Sequence, residues 1–266
     1  MLPNQDPPAG WPKPSGAPRR VSSIVFFSLF TLLCAVVTVT AIGAGQFDQV
    51  AFFGLGVLLF GHLAGMSISF LRSPRPATSQ PPTGVTDQGE RGLAFPYARL
   101  AYYWLTSVLV LIVIFFVGLA YTLAKVGTPV AWVIVVVAIA SALFIVWFLA
   151  TFLRLAPGSI VVTPSGIYHR SLTFEHFVPW HTVEFVRARE GRSPWILIKA
   201  LRASDTRERK YTGFLGAGAE GLPSMIVRTY WLGANALPAY LTTKHYFENP
   251  GERSKLGVLG QPAVDR

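Results

Sequence analysis

Charge is scarce in this sequence. Only 14% of its 266 residues are Asp, Glu, Lys or Arg, while 52% are hydrophobic. An ordinary soluble domain carries about 25% charged residues, so a chain wholly surrounded by water is a poor fit. Acids are scarcest, 13 against 23 Lys and Arg, for a net charge of +10. Cysteine occurs once, as Cys34 in an apolar run. That excludes an intrachain disulfide and a cysteine-built metal centre, and leaves the redox compartment unread. Also missing are a nucleophile elbow, a phosphate-binding lysine loop and a recognisable carboxylate pair. The sequence therefore reads as a non-enzymatic protein with no cofactor. The cationic excess fits the basic inner loops of a multi-span membrane protein better than nucleic-acid binding, which needs cations gathered on one soluble face. No nucleic-acid partner is expected.

What the chain does have is long apolar runs. Residues 21–43, 50–71, 100–123 and 130–153 are each long enough to cross a hydrocarbon core of about 30 Å, so a membrane α-helical region of four transmembrane helices is expected over residues 21–154. Basic residues precede the first run and small ones (AIGAG) follow it, as in a signal peptide, but the run is longer than a signal core. Residues 1–20, rich in Pro and Gly, read as a disordered tail, and 72–99 (SPRPATSQPPTGVTDQGERG) as a flexible loop. Arg72, Arg75, Arg91 and Arg99 fall in that loop, with Lys13, Arg19 and Arg20 in the tail and only Lys125 in the opposite turns. The bias places both termini on the cytoplasmic side of a plasma (inner) membrane.

In the second run Gly54, Gly61 and Gly65 share a helical face with other small residues. Such a face packs helices closely, either within one bundle or between copies in a homo-oligomer. His62 is the one strongly ionisable side chain well inside a span. It is either hydrogen-bonded to a neighbouring helix or the centre of a small transporter or membrane-embedded enzyme.

After Arg154 the periodicity changes to alternation. Strands are expected at 159–163, 166–172, 173–179, 183–189 and 195–201, with weaker ones at 210–212 and 225–230. Thr163-Pro164-Ser165-Gly166 has the composition of a type I turn. A helix follows, with Asn235 as N-cap, Leu237, Tyr240 and Leu241 on one face, and Asn249-Pro250-Gly251 as its stop. About seven antiparallel strands capped by one helix make an α+β domain over residues 155–257, with 258–266 as a tail.

Three segments, VVTPSGIYHRSL, FVPW with the following HTVEFV, and HYFENPGERSKLG, resemble the bacterial PH-like domains of multi-span membrane proteins, especially actinobacterial ones. The resemblance spans roughly Leu155–Gly257 and implies a sandwich or barrel closed by a helix, with a binding or scaffolding role and no active site to carry over. Relatives often have acids after the Trp, where this chain has His181 and Thr182. Eukaryotic PH domains hold inositides with basic residues around the first strand–strand loop, here the uncharged Thr163–Gly166.

Three groups of residues remain as candidates for function. Arg187, Arg189, Arg192, Arg207, Arg209 and Lys210 form a basic edge for anionic lipid or a protein partner, partly offset by Glu190, Asp205 and Glu208. His169 and His176 fall on adjacent strands and are expected as surface or half-buried residues, since a zinc site needs a third ligand. Gly216–Gly221 spells GxGxxG but lacks the following helix and acid of a dinucleotide site.

Overall fold

The computed structural model describes Trp11 and residues 17–71, 81–191, 193–212 and 223–259. It divides into two compact units, one from Gly16–Arg72 and Leu100–Ala150, the other from Ser73–Arg99, Thr151–Arg266 and Met1–Ser15.

Among the described residues, four helices are long and apolar enough to cross a membrane: α1 (Ala17–Gly43), α2 (Phe47–Leu71), α3 (Arg99–Val126) and α4 (Pro129–Leu155). Gly45 and Gly127, both at positive φ, turn the chain between α1 and α2 and between α3 and α4. Pro129 opens α4, where a missing N–H costs nothing. Large apolar side chains point outward, among them Leu32 at 62%, Leu143 at 64% and Val133 at 65% exposure. Such surfaces suit lipid, not water.

The second unit departs from the expectation for residues 72–99. In place of a wholly flexible loop, the chain forms β1 (Thr83–Val85) and β2 (Arg91–Pro96). β2 pairs antiparallel with β3 (Ser159–Val162), matching Ala94 to Val161 and Phe95 to Ile160. The ladder continues through β4 (Gly166–Arg170), β5 (Phe174–Pro179) and β8 (Arg207–Lys210) into a six-stranded sheet ordered β1-β2-β3-β4-β5-β8. Gly92 is needed in β2 because a Cβ there would run into the Val162 carbonyl. A three-stranded antiparallel sheet follows, β6 (Val183–Arg189), β7 (Trp195–Ala200) and β9 (Met225–Arg228). The domain is thus assembled from two separated segments, not from 155–257 alone.

Buried Phe95, Ile160, Ile167, Ile196, Ile198 and Met225 come from both sheets. The last turn of α4 joins this unit, with Phe152 and Leu155 at 0% and 2% exposure. After the short α5 (Thr229–Leu232), α6 (Ala236–Glu248) buries Ala236, Ala239, Tyr240, Thr243 and Tyr246. Leu237 and Leu241 are only half-buried. Asn235 holds the N-cap position of α6 as expected, but its side chain makes no capping bond, and Nδ2 donates instead to the Pro96 carbonyl at 2.8 Å. Asn249 ends α6 as expected, yet a 3-10 turn at Pro250–Glu252 carries the chain into α7 (Ser254–Leu259). Trp11, from the tail expected to be disordered, is buried with its ring 5.2 Å from Tyr240.

Candidate functional site

The β1–β2 hairpin brings two acids to the domain. Thr86 Oγ1 accepts the backbone N–H groups of Gln88 and Glu90, and Gly89 takes φ +82°, which shapes a tight connection. Glu90 then reaches the β3–β4 turn. Its carboxylate accepts from the Ser165 N–H at 3.0 Å, from Thr163 Oγ1 at 3.0 Å, and from Ser165 Oγ. The expected reverse turn at Thr163–Gly166 has rearranged bonds. The Gly166 N–H goes to Thr163 Oγ1, while the Thr163 carbonyl accepts the Trp180 indole N–H at 2.8 Å. Arg253 lies over the Trp180 ring at 4.6 Å. An acid therefore occupies the turn donors that a phosphate would need.

Removing that acid has a measurable cost. Glu90→Ala is expected to destabilise the domain by about 2 kcal/mol, because charge-assisted bonds are lost and the turn donors lose their acceptor. Glu90→Gln should cost less, since shape and one acceptor remain. Pulse proteolysis of the full-length protein over a urea series reads both.

The basic edge expected from sequence divides between the sheets. Arg207, Arg209 and Lys210 sit on β8, in the six-stranded sheet. Arg207 forms a two-point bond with Asp87 at 2.9 and 3.2 Å and covers Phe177. Lys210 pairs with Glu208 at 2.9 Å, and Arg209 lies over Tyr211. Arg187 and Arg189 lie on β6, in the other sheet. Arg192 lies outside the described residues, as does Gly216–Gly221.

Strand register shows what surrounds Arg187 and Arg189. Arg189, Trp195 and Arg228 form one row across the three-stranded sheet; Arg187, Leu197 and Ile226 form the next; Phe185 and Lys199 follow. The opposite face buries Val186, Ile198 and Met225, so these rows face outward. Arg187, Arg189 and Arg228 are exposed, while the apolar members are half-buried. Arg187 stacks on Phe185 at 4.6 Å. No acid occupies any of these paired positions. Lys199 and Arg228 escaped the sequence reading because they belong to other strands, and only pairing makes them neighbours.

At the α4 exit, Arg170 Nη2 donates to the Arg154 carbonyl at 3.2 Å, and Arg170 lies 3.9 Å from Glu175. Arg209 is the register partner of Glu175, so Arg209 belongs to this end of the sheet.

His169 and His176 are cross-strand partners, as their expected placement implied. Neither is at the surface or half-buried: each is 1% exposed. Tyr97 Oη and His169 Nε2 lie 2.6 Å apart. Burial pushes His169 down to about 3, helped by neighbouring His176, and burial holds His176 at about 4 against the opposing pull of Glu208. Both rings are neutral at pH 7. Among the described residues no group of three or more His, Cys, Asp and Glu side chains is placed to hold a metal.

In the helical unit, a Cβ on Gly61 would lie 3.9 Å from the Thr31 methyl, and Gly65 seats the Trp104 ring so closely that a Cβ would collide with it. Gly54 has open space around it, and Gly56, absent from the expected face, packs on Cys34. His62 lies on α2, where Nδ1–H donates to the Leu58 carbonyl at 2.8 Å. The other ring nitrogen, Nε2, lies 3.4 Å from Tyr103 Oη. No family model, curated protein or solved structure matches the chain, so its chemistry is read from this geometry alone.

Proposed function

We infer that this is a non-enzymatic integral membrane protein whose β-rich domain is a PH-like binding module at the cytoplasmic membrane face. It serves there as a scaffold for a protein partner, for further copies of the chain or for anionic lipid. The observation that carries this reading is how the domain joins the apolar helices. Only Tyr97 and Ala98 lie between β2 and α3, and only Ala156 to Gly158 between α4 and β3. Phe152 and Leu155, in the last turn of α4, are core residues of the same domain. A domain joined in sequence to two membrane helices through two and three residues stays tethered to the membrane. Two antiparallel sheets and the long α6 support the PH-like reading, and the arginines of the connecting loop support the cytoplasmic side.

The reading is tested by adding protease to intact cells and, separately, to inverted membrane vesicles. Cleavage beyond Leu155 is expected only in the inverted vesicles, and cleavage in intact cells refutes the sidedness. Crosslinking in native membranes then identifies what the module holds. The competing reading, a transporter or enzyme built on His62, is disfavoured by the local bond from His62 to Leu58. His62→Ala is expected to leave the crosslinked partners unchanged.

A further inference from the structure

The outer face of the six-stranded sheet is covered by its own first hairpin. One row of cross-strand partners runs along that face through Ala94, Val161, Tyr168 and Phe177 to Arg207. The next row, Phe95, Ile160, His169 and His176, points to the opposite face and into the core. Ala94, Val161, Tyr168 and Phe177 are buried too, as a cluster of their own. Residues 83–89 lie over them. A Cβ on Gly84 would sit 2.6 Å from the Ala94 Cβ and 3.2 Å from a Val161 methyl. Burial, with the Glu175 and Asp87 carboxylates nearby, pushes the Tyr168 phenol up. Asp87 follows β1 at one edge of the sheet, and Arg207 lies on β8 at the other. Their two-point bond, with the guanidinium over the Phe177 ring at 4.1 Å, carries the hairpin tip across the strip.

The two halves of the hairpin are held unequally. The β2 half is paired to β3, buries Phe95 in the core and bonds Glu90 to Thr163 and Ser165. The β1 half is an edge strand of three residues, and of residues 83–89 Thr86 alone is buried. The Asp87 and Arg207 side chains are each about a third exposed, and such a pair shifts an equilibrium by about five-fold at most. Gly89, at φ +82°, stands between the halves, where the backbone turns without a Cβ in its way. A segment with so little buried belongs to the part of a fold that opens first.

Resting on the binding-module reading above, we propose that the strip Ala94–Val161–Tyr168–Phe177 and the Arg207 guanidinium form a docking groove for an extended acidic segment of a protein partner, with residues 83–89 as its resident stand-in. The partner strand takes the place of β1 on the edge of β2, where main-chain bonds hold it. The stand-in defines what fits: a glycine against Ala94 and Val161, and three positions later a carboxylate on Arg207. Its tether gives it an effective concentration on the order of millimolar, so a partner must better it or find the Asp87 latch open.

The test uses the full-length protein in nanodiscs and a fluorescein-labelled peptide of residues 81–90 as the probe, read by anisotropy. Asp87→Asn in the protein loosens the latch and should tighten probe binding about five-fold over the native protein. A G84V peptide should not bind. Arg207→Glu also opens the latch, yet it should reject the native peptide and take a D87K peptide, a reversal that a merely structural ion pair would not give. Hydrogen exchange on the native protein keeps the groove testable if the variants misfold. The amides of Thr86 and Gly89, bonded only within the hairpin tip, should exchange at least about ten-fold faster than residues 91–96. Exchange of 86 and 89 in step with 91–96 makes the hairpin a fixed part of the sheet and overturns the stand-in. So does a probe that binds D87N and R207E alike whatever its charge, or that binds neither. If the probe fails while crosslinking in native membranes still captures a partner, the groove falls and the binding-module reading stands; failure of both overturns both.

Discussion

Replacing residues 82–97 by a Gly-Ser linker of equal length should unfold the β-rich domain and leave the four apolar helices in place. The segment reads as a spacer, yet β2 lies between β1 and β3, and Phe95 is 1% exposed. Removing a buried Phe alone costs about 3–5 kcal/mol. The replacement also takes away Tyr97, the Glu90 carboxylate on the β3–β4 turn and the Asp87 partner of Arg207. It turns β3, buried at Ile160, Val161 and Val162, into an open edge. The combined loss reaches the whole stability of an ordinary domain, about 5–15 kcal/mol. Limited proteolysis should cut freely within 159–212 in the altered protein and slowly in the native one. By the same reasoning the fragment 155–266 should not fold alone, and a peptide spanning 81–98 should restore protease resistance to it.

The domain should also be destabilised by mild acid. His169 and His176 are buried and neutral, with folded values of about 3 and about 4 against an ordinary value near 6.5. The groups facing them are Tyr97 from the end of β2, Phe174, and Glu208 across from His176 on β8. Only Glu208 favours a proton, and only on His176. Because the folded values are depressed, the unfolded chain binds more protons than the folded one below pH 6.5. Stability is therefore complete above about 6.5 and falls as pH drops towards the folded values, by up to about 1.4 kcal/mol per pH unit for each ring. For both rings that is about 3–4 kcal/mol by pH 5, above the range where ordinary carboxylates titrate. His176→Leu should halve the slope between pH 6.5 and 5, whatever it does to stability at pH 7. Urea midpoints of the full-length protein across that range give the slope directly, and an unchanged slope would remove the buried pair as its cause.

Much of this architecture was legible, for physical reasons. Four uncharged runs can only be long apolar helices, and the expected spans match α1–α4 to within a few residues at each end. Alternation located β6 and β7, which bury one face each, whereas β3, β4 and β5 are buried along nearly their whole length, and β8 at Arg207–Lys210 lies upstream of the expected 210–212. The hairpin of β1 and β2 left no such trace: β1 has three residues, and β2 is RGLAFP, with a Gly and a Pro that mimic a linker. Gly92 was the readable sign in retrospect, since a Gly inside a strand often marks close backbone approach. The site was less legible than the fold. Arg187 and Arg207 look like neighbours along the chain, but the corner after β5 puts them on different sheets. Asp87, the partner of Arg207, lies 120 positions away, and Arg228 meets Trp195 only through the β7–β9 ladder. Asn235 had the composition of a cap, but its amide joins α6 to Pro96 instead, a long-range bond that helix rules do not contain.

Hydrogen–deuterium exchange on the full-length protein in nanodiscs reaches the central point most directly: the connection between the second and third apolar helices is a structural part of the sheet. The amides of residues 91–96 that bond across the ladder should exchange orders of magnitude more slowly than free chain, and in step with residues 159–162. Exchange of 91–96 at the rate of an unstructured chain, with 159–162 still protected, would contradict the account.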